Sequence, residues 1–112
     1  MRLGVLISGR GSNLEAILTA IAERRLDAEV ALVVSNRPGA GGLAHATAHG
    51  VPAETLPHTG FPNREAYDAA LVERLKAHGV DAVALAGFDR IVTRTLLGAF
   101  PGRVVNIHPG LL

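Results

Sequence analysis

The stretch that decides the fold is Leu3–Leu14, which reads LGVLISGRGSNL. Leu3–Ser8 is a short, almost unbroken apolar run, which is typical of a β-strand buried on both faces. The glycines after it predict a tight turn, and Ser12 followed three residues later by Glu15 matches a helix N-cap with a capping box. Apolar residues then recur at helical spacing as far as Ile21. The chain therefore begins with a strand, a turn and an amphipathic helix.

The same alternation continues to the end of the sequence. Further strands are predicted at about Val30–Val34, Ala53–Leu56, Ala82–Ala86 and Val104–Ile107, and further helices at about Leu43–His49, Arg64–His78 and Thr93–Ala99. Apolar strands that alternate with helices favour an α/β fold with a Rossmann-like parallel sheet flanked by helices. Such sheets bind ligands beyond the carboxyl ends of their strands. The segments to examine are therefore Ser8–Asn13, Gly87–Val92 and Asn106–Leu112.

Composition narrows the function classes. The 112 residues fit one domain, and the formal net charge of +1 gives no basic face for nucleic acid or an anionic membrane. Cysteine is absent, which excludes disulfides, thiolate catalysis and cysteine-based zinc sites. The apolar run at the N-terminus is too short for a signal peptide and leads into a glycine-rich turn. We therefore expect a cytoplasmic protein that binds neither nucleic acid nor membrane.

The turn Ser8–Asn13 is the first candidate binding site. Its glycines allow close backbone approach, and a helix N-terminus offers free N–H groups to an anion such as phosphate. A dinucleotide fingerprint is disfavoured because Leu14 stands where the third glycine belongs, and Asn36 stands where an acidic residue is expected. The turn alone leaves phosphate binding and simple helix capping equally open.

The second candidate site is the sequence Asn106-Ile107-His108-Pro109 at the end of the last predicted strand. Alternation along the strand sends Asn106 and His108 to one side. An amide and an imidazole placed together can bind and protonate a developing oxyanion. An ordinary polar strand end is the alternative that the residues themselves leave open.

Two other patterns give weaker signals. His45 and His49 lie four apart on a predicted helix, a spacing that can bind metal, but no acidic third ligand accompanies them. We therefore predict no metal site. Gly87–Val92 is either an ordinary turn with Phe88 packed inward or a pocket wall that offers backbone groups to a flat heterocycle.

Taken together, four stretches resemble the glycinamide ribonucleotide formyltransferase family. They are Val5–Leu14, Arg64–Asp68, Ala86–Ile91 and Asn106–Pro109, in that order along essentially the whole chain. The Asn-x-His-Pro element is shared with other formyltetrahydrofolate enzymes, whereas the Gly-Ser-Asn turn marks the glycinamide branch. The resemblance implies the strand order 3-2-1-4-5 and transfer of a formyl group from 10-formyltetrahydrofolate to the amine of phosphoribosylglycinamide, in purine biosynthesis.

The resemblance also implies roles for individual residues. The substrate phosphate would be held by Gly11, Ser12 and Asn13. The folate would be bound by Arg64, by Asp89, Arg90, Ile91 and Val92 largely through backbone atoms, and by Asn106. Asn106 would bind the formyl oxygen and His108 would act as the general acid. Because Asp89 replaces a residue that is often apolar in relatives, its side chain is expected to point away from the pterin.

One departure from the family concerns the end of the sequence. An aspartate downstream of His108, which the family uses to keep that histidine charged, is not present before Leu112. Residues 1–112 are therefore expected to be the N-terminal part of a formyltransferase domain, inactive alone and prone to self-associate through an exposed sheet edge. The alternatives are a deformylase, an enzyme like methionyl-tRNA formyltransferase, or a non-catalytic nucleotide-binding module.

Overall fold

The computed structural model describes residues 1–107, and the last five positions lie outside the described residues. Five strands alternate with four helices: β1 (Arg2–Ile7), α1 (Ser12–Ala22), β2 (Glu29–Ser35), α2 (Gly42–Ala48), β3 (Ala53–Thr55), α3 (Arg64–Ala77), β4 (Ala82–Ala86), α4 (Arg94–Ala99) and β5 (Val104–Ile107). These bounds confirm the predicted elements, with small shifts at their ends. None of the helices within residues 1–107 is long and apolar enough to cross a membrane.

The strands form one parallel sheet in the order β3-β2-β1-β4-β5, which confirms the predicted order. The order reverses between β1 and β4, since β2 and β3 lie on one side of β1 while β4 and β5 lie on the other. Open α/β sheets bind ligands at such a reversal, beyond the carboxyl ends of the strands. The segments that follow β1 and β4 therefore lie at the favoured position.

Each face of the sheet is covered by its own hydrophobic cluster. Val5 and Ile7 of β1 pack with the apolar side of α1 and with Ala46 of α2. Leu6, which points to the opposite face, packs with Tyr67 of α3 and with residues of α4. All three β1 side chains are fully buried. The continuous apolar pattern of this strand thus follows from helices on both faces.

The far strand β5 lies at an edge of the described sheet. It pairs with β4 only, and the Val105 side chain is 51% exposed. Ile107 on the same face packs partly against the α1 side of the core. The sheet therefore leaves unpaired backbone groups and one large apolar side chain along this edge within residues 1–107.

The predicted cap of α1 is wrong. The N-cap residue is Gly11, in the left-handed conformation with φ 81°, and no side chain caps the helix. Ser12 is already helical, and the Glu15 carboxylate lies 3.7 Å from the His45 imidazole instead of reaching back to the helix start. The capping box fails because a contact between segments far apart in the chain sets the backbone at Gly11.

That contact joins the N-termini of α1 and α2. A Cβ atom at Gly11 would lie 2.4 Å from the Gly42 Cα, and one at Gly42 would lie 2.5 Å from the Ile7 side chain. The Gly42 N–H donates to the Gly9 carbonyl at 3.1 Å. Glycine at both positions therefore lets the turn after β1 lie directly against the start of α2.

We expect Gly42→Ala to destabilise the protein by about 1–3 kcal/mol, the usual cost of overpacking. The free energy of unfolding in urea measures it. Gly98→Ala is the matched control, since a Cβ there meets no atom within 4 Å and helical alanine is favoured over glycine by about 0.5–1 kcal/mol. Equal effects of the two substitutions would contradict the close packing at Gly42.

Candidate functional site

The carboxyl edge of the sheet brings the predicted site segments together. The Asn13 side-chain amide donates to the carbonyl of Ile107 at 3.3 Å, so the turn after β1 touches the end of β5. The loop between β4 and α4 (Gly87–Thr93, the β4–α4 loop) contacts Ser8 at the start of the same turn. Segments from three parts of the sequence therefore border one region.

The start of α1 presents free backbone donors in this region. Gly11 is buried, Ser12 is exposed and Asn13 is half-buried. The Glu15 N–H donates to the Gly11 carbonyl at 2.8 Å, which is the first bond of the helix. The N–H groups before Glu15 have no partner within the helix and no side-chain cap, so they can donate hydrogen bonds to an anion.

A polar cluster lies where β1, β2 and β4 end. The Asp89 carboxylate accepts hydrogen bonds from the Asn36 amide at 2.9 Å and from Nε of Arg37 at 2.7 Å, with a second contact from the Arg37 Nη2. The Asp89 N–H donates to the Ser8 hydroxyl at 2.9 Å. Ser8 and Asn36 are buried, whereas Arg37 is largely exposed. The cluster therefore ties the β4–α4 loop to the ends of the two neighbouring strands.

The single Ser8 hydroxyl proton has two acceptors within reach. The Asn36 Oδ1 lies at 2.6 Å and the Asp89 Oδ1 at 3.0 Å. The shorter contact favours donation to Asn36, whose amide in turn donates to Asp89. Ser8, Asn36 and Asp89 thus form a closed ring in which each side chain has a partner.

These hydrogen bonds keep Asp89 ionised. Donation from Asn36, followed by the hydrogen bond and positive charge of Arg37, holds the pKa of Asp89 below its usual value, against the opposite effect of partial burial. Because folding depresses this pKa, the stabilisation is complete above the pKa of an unfolded aspartate. It is lost as the pH falls through the lowered folded-state pKa.

Side chains of α3 hold the rest of the β4–α4 loop in place. The Arg90 guanidinium lies 4.9 Å from the centre of the Tyr67 ring, a cation–π contact. Burial raises the pKa of Tyr67 to about 12, so the ring stays neutral. At the end of the loop, the Asp68 carboxylate accepts both the N–H and the hydroxyl of Thr93, at 2.7 and 2.8 Å. Thr93 in turn caps α4.

The other predicted site residues lie in or near this loop, except for His108. The Ile91 side chain is 67% exposed, and Val92 packs partly against the core. Arg64 is exposed in the first turn of α3, and Asn106 is exposed on β5. His108 lies outside the described residues. The geometry therefore groups the loop, the turn and the end of β5, and within residues 1–107 the Arg64 side chain makes no hydrogen bond or ion pair.

No group of three or more metal-ligating side chains occurs among the described residues 1–107. His45, one of the two histidines spaced four apart, lies within 3.7 Å of Glu15 and is partly exposed.

Sequence reasoning included Ser8 and Asp89 in candidate segments but missed the part that Asn36 and Arg37 play in the polar cluster. Asn36 follows a buried strand directly, and that position is the signal that would have drawn attention to it. Asn36 entered the argument only as evidence against a dinucleotide site. Arg37 and Asp68 were given no role, because only the folded chain brings them to Asp89 and Thr93.

Known proteins are similar to this chain in both sequence and fold. A family model described as "Formyl transferase" matches residues 1–112. The chain is 40% identical over 111 residues to phosphoribosylglycinamide formyltransferase of Bacillus subtilis, covering 99% of this chain and 57% of that protein. It is 47% identical over 113 residues to the trifunctional purine biosynthetic protein adenosine-3 of Drosophila melanogaster, covering 99% of this chain and 8% of that protein.

A solved structure agrees with this picture. Glycinamide ribonucleotide transformylase 1 from Symbiobacterium toebii superposes with a TM-score of 0.93 and 51% identity, over 97% of this chain and 51% of that one. This sequence thus spans about half the length of the bacterial relatives it matches. The family model, in contrast, accounts for every position of the sequence, and the chain belongs to the formyl transferase family.

Proposed function

We propose that the protein to which this chain belongs transfers a formyl group from 10-formyltetrahydrofolate to the amine of phosphoribosylglycinamide. The observation that carries the proposal is the uncapped start of α1, which lies at the same sheet edge as the β4–α4 loop. This arrangement gives an anion site beside a wall of backbone groups. The relatives named as phosphoribosylglycinamide formyltransferases support the choice of substrates.

The phosphate of the substrate would bind at Gly11, Ser12 and Asn13. Their N–H groups have no helical partner, and the positive end of the α1 dipole favours an anion there. The buried packing of Gly11 against Gly42 fixes the turn before a ligand arrives. The wrongly predicted capping box strengthens this proposal, because in that motif the Glu15 carboxylate would have accepted the Ser12 N–H.

Titration with inorganic phosphate, followed by amide NMR shifts, tests the site. We expect the largest shifts at Gly11, Ser12 and Asn13. The start of α3 is an internal control, because the Asn63 side chain already accepts the Ala66 N–H at 2.8 Å. Shifts at Ala66 as large as those in the turn after β1 would argue against a specific site.

The folate would bind along Asp89, Arg90, Ile91 and Val92, mainly through backbone atoms. The Asp89 carboxylate is already bonded within the chain, which leaves the loop backbone and the exposed Ile91 to face a ligand. Arg64, exposed at the start of α3, would contact the folate from the other side. Whether the Asp89 side chain turns away from the pterin stays a prediction.

The chemical step would use Asn106 and His108. The substrate amine attacks the formyl carbon, the new C–N bond forms, and the Asn106 amide stabilises the resulting oxyanion. The attacking nitrogen then gives up its extra proton to water, and His108 donates a proton to the folate nitrogen as the bond from that nitrogen to the formyl carbon breaks and the carbonyl re-forms. The exposed Asn106 at the end of β5, next to the turn that Asn13 ties to Ile107, supports this assignment.

In the full-length protein that contains these residues, we expect His108→Ala to lower kcat for formyl transfer by about 10²–10⁴-fold, the usual contribution of general acid–base catalysis. Spectroscopic detection of tetrahydrofolate release measures the rate. His49→Ala, on the exposed end of α2, is the control and should leave the rate unchanged.

The molecule that accepts the formyl group distinguishes the proposed function from the alternative enzymes. Transfer to methionyl-tRNA, or hydrolysis without an acceptor, in preference to transfer to phosphoribosylglycinamide would contradict the proposed function. Phosphate binding by a full-length protein that performs none of these reactions would favour the non-catalytic module.

Two further expectations about the chain also remain proposals. The assignment of residues 1–112 to the N-terminal part of a formyltransferase domain, inactive alone, is one of them. A cytoplasmic location is the other. The similarity to bacterial relatives about twice as long supports the first.

We also propose that a chain of these 112 residues self-associates through β5. Within residues 1–107 the strand pairs on one side only, and Val105 is half exposed on it. Unpaired strand edges are templates for pairing with another chain, and a charge on the edge opposes this.

Val105→Lys should therefore shift residues 1–112 towards the monomer, as measured by sedimentation velocity over a range of concentrations. Leu97→Lys is the matched control, because Leu97 is 45% exposed on α4 rather than on the sheet edge. A monomeric unsubstituted chain, or equal effects of both lysines, would show that β5 does not drive association.

A further inference from the structure

Both ends of the β4–α4 loop are fastened by carboxylates. We infer that Asp89 and Asp68 are positioning residues, which hold this loop in its ligand-binding shape before the folate arrives. The inference deepens the proposed function and rests on it. It also gives a role to Tyr67 and Asp68, to which the sequence analysis assigned none.

Asp89 fastens the first half of the loop to the sheet. Its carboxylate accepts from Asn36 and Arg37, both of which follow β2, and its N–H donates to Ser8, which follows β1. Ser8 and Asn36 are themselves buried and bonded to each other. The loop is thus anchored to groups that cannot move without disturbing the carboxyl ends of two central strands.

Asp68 fastens the last residue of the loop to α3. The carboxylate is only 2% exposed, and one of its oxygens accepts from both the N–H and the hydroxyl of Thr93. The Thr93 hydroxyl then accepts the Thr95 N–H at 3.2 Å. A buried carboxylate without such donors would be costly, so these bonds fix the position at which α4 begins.

Most other side chains of the loop are also held in place. Phe88 and Val92 pack against the core, and the Arg90 guanidinium rests on Tyr67, whose hydroxyl donates to the Leu56 carbonyl at 2.7 Å. Ile91 is the exposed exception. The backbone groups of the loop are therefore pre-organised, so a ligand that binds them loses little free energy to ordering.

A positioning role predicts a specific kinetic pattern. Loss of an anchor should raise the KM for 10-formyltetrahydrofolate, because the loop must then be ordered on binding. The chemical step uses Asn106 and His108, which lie outside the loop, and kcat should change much less. A purely structural role would instead reduce the amount of folded enzyme and leave KM unchanged.

The experiment compares Asp89→Ala, Asp68→Ala and the conservative Asp68→Asn in the full-length protein. We expect each alanine variant to raise this KM by about tenfold, with kcat within about threefold. Hydrogen exchange at residues 88–92 should accelerate in both, while exchange in α1 stays unchanged. Asp68→Asn keeps an acceptor oxygen for Thr93 and should restore most of the lost affinity.

Glu54→Ala is the matched control. Glu54 accepts a hydrogen bond from Arg74 at 2.7 Å, and that bond holds its pKa below the usual value, as the Asp89 partners do. The pair joins β3 to α3 away from the loop. Its loss should change neither the KM nor exchange in the loop.

Two outcomes would overturn the inference while the proposed function survives. In the first, the unsubstituted enzyme transfers formyl groups, and the alanine variants show the same KM for 10-formyltetrahydrofolate and the same hydrogen exchange in the loop. The other is faster exchange throughout the molecule, including α1, which would show general destabilisation. If the unsubstituted full-length protein lacks formyl transfer but the alanine variants still loosen the loop selectively, the proposed function fails and the anchoring stands.

Discussion

The structure depends on the burial of β1 from both sides. Val5 and Ile7 fill the core under α1 and α2, and Leu6 fills the core under α3 and α4. Because side chains alternate along a strand, a shift of one residue in the pairing of β1 would exchange these two sets. The strand is therefore fixed in register between β2 and β4, and the position at which Ser8 leaves the sheet is fixed with it.

Much of the fold could be predicted because its signals are local. The three central strands β1, β2 and β4 are short apolar runs, and Gly50 and Gly79, both with positive φ, follow the ends of α2 and α3. The strand order is not local, and it came from the resemblance to the formyltransferases. Ser12 shows the limit of local rules, because the packing of Gly11 on Gly42 overrode a well-matched capping box.

The candidate site was predictable in outline only. Strand ends at the reversal of strand order identify the segments, since parallel strands place their carboxyl ends together. The bonds within the site join Ser8, Asn36 and Asp89, which are far apart in the sequence. No periodicity links such residues, and a polar residue after a strand looks the same whether it faces solvent or a partner. The anchoring of Thr93 by Asp68 was hidden for the same reason.

The polar cluster also reduces the repulsion expected between the Asp89 carboxylate and the phosphate proposed to bind nearby. Asp89 contacts Ser8, at the start of the turn proposed to bind phosphate, and a bare carboxylate beside that turn would repel the ligand. Arg37 lies against the carboxylate with two nitrogens, and Asn36 adds a neutral donor. The Asp89–Arg37 ion pair therefore has little net charge, although Asp89 remains ionised. A carboxylate can thus fasten the loop without removing the attraction of the α1 dipole for an anion.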